Sequence, residues 1–91
     1  MKRYVIEREL PGIDKKNAAE LRAAATASNE ALAKLAPRIQ WDHSYVVDGR
    51  TFCIYLAEDE AVIQEHSKLS GIPLKSITEV KRIIAPTAAN G

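Results

Sequence analysis

The sequence predicts an α+β fold: a four-stranded antiparallel sheet with two helices on one face, in the order β-α-β-β-α-β. Three observations predict it. Small and apolar side chains recur at helical spacing between residues 15 and 36 and stop at Pro37. The dipeptide Asp48-Gly49 divides two runs rich in β-branched and aromatic residues, which is the signature of a two-residue hairpin. A strand-like segment stands towards each end, RYVIEREL before the first helix and SITEVKRII after the second.

Taken in order, the first strand is expected near residues 3–10, and Pro11-Gly12 breaks it. Asp14 offers a side-chain oxygen to cap a helix over 15–36. Its apolar row is Ala18, Leu21, Ala25, Leu32 and Leu35, with small Ser28 completing it. The many alanines let that helix approach a sheet closely. Residues 39–47 and 50–57 form the hairpin. Asp59 caps a second helix over 60–70, which Gly71 ends with Pro73 beyond. Residues 76–84 supply the last strand. This is the split βαβ, ferredoxin-like arrangement.

A chain of 91 residues makes one domain, 1–91, with the small polar tail 86–91 expected to be flexible. A monomer of this size buries only about 60–65% of the surface its unfolded chain exposes, which favours an oligomer. Cys53 is the only cysteine, so no disulfide forms within the chain, and a cytoplasmic, reducing setting is expected. Lys and Arg number 13 against 12 Asp and Glu, well interspersed, so no nucleic-acid footprint is predicted. The opening MKRYVIEREL has no long apolar run and predicts neither a signal peptide nor a membrane span. No phosphate loop, nucleophile elbow or Cys-x-x-Cys pair occurs.

The tight turn sets the expected pairing: Val47 with Arg50, Tyr45 with Phe52, His43 with Ile54 and Trp41 with Leu56. Directly opposed residues share a face. The apolar set Phe52, Ile54 and Leu56 is expected beneath the helices, with Trp41, His43 and Tyr45, and with Tyr4, Ile6, Val80 and Ile84 from the outer strands. The open face is then expected to carry Glu7, Glu9, Asp42, Ser44, Cys53, Tyr55, Glu79 and Lys81. A mixed face of that kind suits a homodimer formed through the sheet.

The series WDHSYV, TFCIYLA, IQEHS, SGIP and ITEVKRIIAPT resembles the small bacterial proteins grouped as domain of unknown function 4242. The likeness runs from YVIER through IAPT and is weakest in the first helix. It implies a dimeric ferredoxin-like fold and a nickel-binding or metal-responsive role, without a named reaction. The family usually carries an acidic residue before the final Pro-Thr, where this chain has Ala85.

Six residues are candidate metal ligands: His43, His66, Glu7, Asp42, Glu79 and Cys53. Neutral imidazole suits nickel, zinc and copper, and histidines with carboxylates and water make an octahedral or tetragonal site that favours nickel or copper. Gathered carboxylates repel one another, and a cation relieves that repulsion. Each residue also has a plainer role. His43 is a packed strand imidazole, His66 a histidine at the edge of the core on the second helix, Cys53 a small apolar filler. The three carboxylates can be a solvated or dimer-rim set. With His43 and the carboxylates expected on opposite faces, a shared metal needs a dimer interface, a strand edge or a register one residue different. The leading expectation is a cytoplasmic protein that binds nickel or another divalent transition metal for storage, buffering or sensing, without catalytic turnover. The alternative is a dimeric α+β barrel enzyme, oxygenase- or isomerase-like. In it Trp41, Tyr45 and Tyr55 wall a small-molecule pocket, and His43 or His66 serves as acid or base.

Overall fold

The computed structural model describes residues 1–90. Strand β1 spans Lys2–Glu9, and a short 3-10 turn follows at Ile13–Lys15. Helix α1 spans Ala18–Leu35, and the hairpin is β2 (Ile39–Val47) with β3 (Arg50–Ala57). Helix α2 is Glu60–Ser70, and strand β4 is Ser76–Glu79. A second 3-10 turn, exposed throughout, occupies Pro86–Asn90. Of the expected tail, 86–91, Gly91 lies outside the described residues.

Helix α1 starts three residues later than expected, because Asn17 and not Asp14 caps it. The Asn17 side chain accepts from the Glu20 N–H at 2.9 Å, and the Glu20 carboxylate accepts from the Asn17 N–H at 3.4 Å, a reciprocal capping box. Asp14 instead accepts from the Gly49 N–H at 3.0 Å, tying the turn after β1 to the tip of the hairpin. That bond holds the Asp14 carboxyl below its ordinary range. Helix α2 has the predicted bounds. The Asp59 carboxylate accepts from the Val62 N–H at 3.0 Å, and Gly71 closes the helix at φ 74°, a conformation that favours glycine.

The sheet order is β2-β3-β1-β4, antiparallel throughout, which is the predicted ferredoxin-like topology. The hairpin pairs Val47 with Arg50, Tyr45 with Phe52 and His43 with Ile54, as the two-residue turn requires. Beyond His43 the pairing departs from expectation. Trp41 stands opposite Tyr55 and not Leu56, because Asp42 is an extra, unpaired residue in a β-bulge.

The expected faces of β3 are reversed. Thr51, Cys53, Tyr55 and Ala57 are the buried residues, while Phe52, Ile54 and Leu56 are half-buried on the open face. The cause lies in β1. Tyr4 and Ile6 do go beneath the helices, and they pair directly with Tyr55 and Cys53. The opposed residues must share that face. Both alternating sets of β3 are apolar enough to be core, so its own composition did not reveal its phase. Ser44, paired with Cys53, moves to the helix side with it, whereas His43 and Tyr45, expected beneath the helices, go to the open face with Ile54 and Phe52. Trp41 keeps its expected side because the bulge pairs it with Tyr55.

Strand β4 is shorter than predicted. Val80, expected beneath the helices, is half-buried on the open-face phase instead, because it follows inward Glu79 and aligns with Arg3, its N–H donating to the Arg3 carbonyl at 2.8 Å. Ile84, expected beneath the helices, is 87% exposed. Glu79 pairs with Tyr4, so it lies on the helix-side phase at the sheet edge and not on the open face.

The core therefore lies between one sheet face and the two helices. Tyr4, Ile6, Tyr55 and Ala57 from the central strands meet Leu35 of α1 and Val62 and Ile63 of α2. No helix among the described residues is long and apolar enough to cross a membrane.

The position of the sulfur offers a direct check. Cys53 is 5% exposed, so its thiol should react with an aromatic disulfide reagent at least about tenfold more slowly in native protein than in urea-unfolded protein. Equal rates would place the sulfur on the open face.

Candidate functional site

Two polar groupings stand out, one on each side of the sheet. The first is made by the bulge in β2. His43, paired with Ile54, points to the open face, and the extra residue Asp42 comes beside it. The His43 Nδ1 and an Asp42 carboxylate oxygen are 2.5 Å apart, with the side chains 44% and 49% exposed. This bond orients the imidazole and leaves its Nε2 available to solvent or a ligand. Tyr45 packs its ring edge-on against His43, centroids 5.0 Å apart, and restricts the ring further.

The second grouping is interior. Arg8 follows Tyr4 and Ile6 in the inward phase of β1 and is 2% exposed. Its Nη1 donates to Ser67 Oγ at 2.9 Å and to the carbonyls of Ile72 and Pro73 at 3.1 Å each. These bonds stitch the segment after α2 onto the sheet. Its Nη2 has no hydrogen-bond partner, and no carboxylate among the described residues pairs with the guanidinium. His66, fully buried on α2, meets Ser28 of α1 through Nε2 at 3.2 Å, and its Nδ1 is unpartnered. The Tyr55 ring lies against it, centroids 5.6 Å apart. Burial, aided by the Arg8 charge, lowers the His66 pKa; burial raises that of the Tyr55 phenol, and the Arg8 charge opposes this.

The remaining candidates are dispersed. Cys53 is buried beneath the helices, its sulfur 3.5 Å from Thr51 Oγ. Glu7 lies on the open face, 3.4 Å from Arg50 and 3.6 Å from Lys75. Glu79 pairs with Lys81 at 3.0 Å, which lowers its pKa. Of the six residues singled out in the sequence, the fold brings only His43 and Asp42 together. Among the described residues no three His, Cys, Asp or Glu side chains converge to hold a metal ion. One chain thus supplies a nitrogen and an oxygen donor of the chemistry nickel accepts, but fewer ligands than a closed site needs.

Sequence reasoning missed Arg8. The available signal was its phase: Tyr4, Ile6 and Arg8 alternate, so an inward Tyr4 and Ile6 carry Arg8 inward with them.

A small ferredoxin-like domain with a histidine–carboxylate pair on the open side of its sheet defines the class. Residues 4–80 match the family model described as "Nickel responsive protein SCO4226-like", and the chain belongs to that family. Among solved structures it is similar to the crystal structure of SCO4226 from Streptomyces coelicolor A3(2). The TM-score is 0.74 at 14% identity, covering 90% of this chain and 99% of that one. At that identity the likeness shows a shared fold. No curated protein matches the chain significantly.

The His66 environment makes stability depend on pH. Burial favours the neutral form of His66 in the folded state, whereas the unfolded chain takes up a proton near the ordinary value of 6.5. The contribution is complete above that pH and is lost as the pH falls below it towards the lowered folded value. The urea midpoint should therefore drop between about pH 7.5 and about pH 5.5, and His66→Gln should flatten that dependence. A wild-type midpoint that stays level across the interval would contradict a neutral, buried His66.

Proposed function

We propose that the protein binds nickel as a homodimer, with His43 and Asp42 of each copy as the donors, and that it stores, buffers or senses the metal without turning over a substrate. The lone buried Cys53 suits a cytoplasmic setting. The observation that carries the reading is the oriented His43–Asp42 pair on an exposed bulge, in a chain of the nickel responsive family. Imidazole, carboxylate and water together suit divalent nickel or copper. The metal ion, when bound, is cargo or signal, and the protein's part is to orient the imidazole and keep the carboxylate beside it.

The open sheet face supports the second copy. Val5, Phe52, Ile54 and Leu56 form an apolar patch there, flanked by Arg3, Glu7, Arg50 and the exposed Tyr45. An uncovered apolar sheet face on so small a chain is an interaction surface. Dimerisation across it also supplies what a single chain lacks, further donors from a second His43 and Asp42. Glu7, Glu79, Cys53 and His66 have ionic or interior partners already, and the proposal leaves them out of the metal shell.

Calorimetric titration of metal-free protein with nickel should give saturable binding at micromolar concentration. His43→Ala should weaken it at least about tenfold, since one lost nitrogen ligand leaves too few donors. Full affinity in that variant would remove His43 from the site.

The interface has its own test. Ile54→Asp should convert a dimer to a monomer in sedimentation equilibrium, because a charge placed on both copies would be buried unpaired. A wild-type monomer at tens of micromolar, or a dimer undisturbed by Ile54→Asp, would refute this arrangement.

A further inference from the structure

A cavity of about 240 Å³ opens between α1 and the inner face of the hairpin, on the side of the sheet away from His43. Its walls are mostly apolar: Leu21 and Ala25 of α1, Ile13, Ile72 and the inner edge of Trp41. Polar groups at its wall are few, chiefly Arg8, Ser28, Ser44, Thr51 and the Tyr55 phenol. The space exists because α1 presents alanine and serine over this stretch where larger side chains would fill it. Arg8 is the informative wall residue. It is a guanidinium 2% exposed, with every hydrogen bond among the described residues made by one terminal nitrogen, the other unpartnered there and no carboxylate of those residues paired to it. Taking a cation out of water without an anion is costly, and natural interiors rarely leave one uncompensated. An unpaired half of a guanidinium fork matches the geometry of a carboxylate. Apolar walls with one such group describe a ligand site rather than a packing defect.

We propose that this cavity binds a small organic carboxylate with an apolar, ring-sized body, its carboxylate drawn to Arg8 and its body held among Leu21, Ala25 and Trp41. The volume lies below the about 300–1,000 Å³ that holds drug-sized ligands, so the occupant is a compact molecule. The proposal is independent of nickel. The cavity and the His43–Asp42 pair lie on opposite faces of the sheet, and neither shares a side chain with the other.

Trp41 is the only tryptophan and lies in the cavity wall, so its emission reports occupancy. Protein treated with chelator to remove metal is titrated with phenylacetate, with phenylacetamide as its uncharged counterpart and with acetate as the carboxylate without a body. Phenylacetate should give a saturable change in Trp41 emission, with affinity at least about tenfold above that for either control, as a charge-assisted pair in a desolvated site requires. Arg8→Gln, checked by circular dichroism for native structure, should lose that advantage. Ala25→Phe, which fills the cavity from the partly exposed side of α1 and leaves Arg8 intact, should abolish binding. It decides the matter if Arg8→Gln does not fold. Absence of saturable binding by phenylacetate would overturn the proposal, as would equal affinity for phenylacetamide or acetate. Undiminished binding in folded Arg8→Gln or in Ala25→Phe would overturn it too.

Discussion

Strands β1 and β3 are paired without a break from Lys2–Ala57 to Glu9–Arg50, and the placement of every other group follows from that register. Tyr4 faces Tyr55, Ile6 faces Cys53 and Arg8 faces Thr51, all on the inner side. These rows are the floor on which both helices sit. Because strand side chains alternate, the same register sends Val5 and Glu7, with Phe52 and Ile54, to the open face. A slip of one residue would exchange the two sets completely. It would expose Ile6 and bury Glu7, replacing a gain of about 1.5–3 kcal/mol for an apolar side chain with the desolvation of a carboxylate. The register is therefore strongly specified, although β3 read alone is ambiguous.

That ambiguity explains which parts of the fold were legible in the sequence. The hairpin was plain because Asp48-Gly49 fixes a two-residue turn, and α2 was plain because Asp59 and Gly71 mark its ends with specific chemistry. The order of elements and the topology followed. Strand phase did not follow, since Phe52, Ile54 and Leu56 look more like core than Thr51, Cys53 and Tyr55 do. The deciding information was non-local. It lay in β1, where Tyr4 and Ile6 demanded partners on their own face. The bulge was likewise invisible, because one extra residue in a strand leaves no compositional mark. It alone turned Trp41 inward and set Asp42 against His43, so two candidate ligands chosen by residue type were brought together by a feature that residue type does not reveal. The start of α1 was misplaced for a related reason: Asp14 and Asn17 are both good caps, and a long-range bond to Gly49 claimed the first.

The two faces of the sheet carry opposite chemistry, and this too descends from the central pairing. Inside are a cation with no counter-ion among the described residues and a histidine whose pKa is lowered by burial and by that cation. Outside are an apolar patch, a histidine–carboxylate pair, and glutamates held by Arg50 and Lys75. Burial of Arg8 cannot be offset by Glu7 or Glu9, although both adjoin it in sequence, because alternation turns both the other way. The inner face is left positive by geometry.

The segment Trp41–Ser44 joins these two chemistries. In a regular strand, residues three apart point to opposite faces. Here Trp41 and Ser44 point to the same face, because Asp42 takes up the extra position, and Trp41 Nε1 donates to Ser44 Oγ at 2.9 Å across the bulge. That bond braces the bulge from the cavity side while Asp42 and His43 meet on the other. The brace holds the extra residue in place, and the extra residue sets the carboxylate beside the imidazole. A side chain in the cavity wall thus fixes the geometry of the donor pair on the far side of a sheet one strand thick. Loss of the Trp41–Ser44 bond would free Asp42 to leave His43, although neither Trp41 nor Ser44 hydrogen-bonds the imidazole itself.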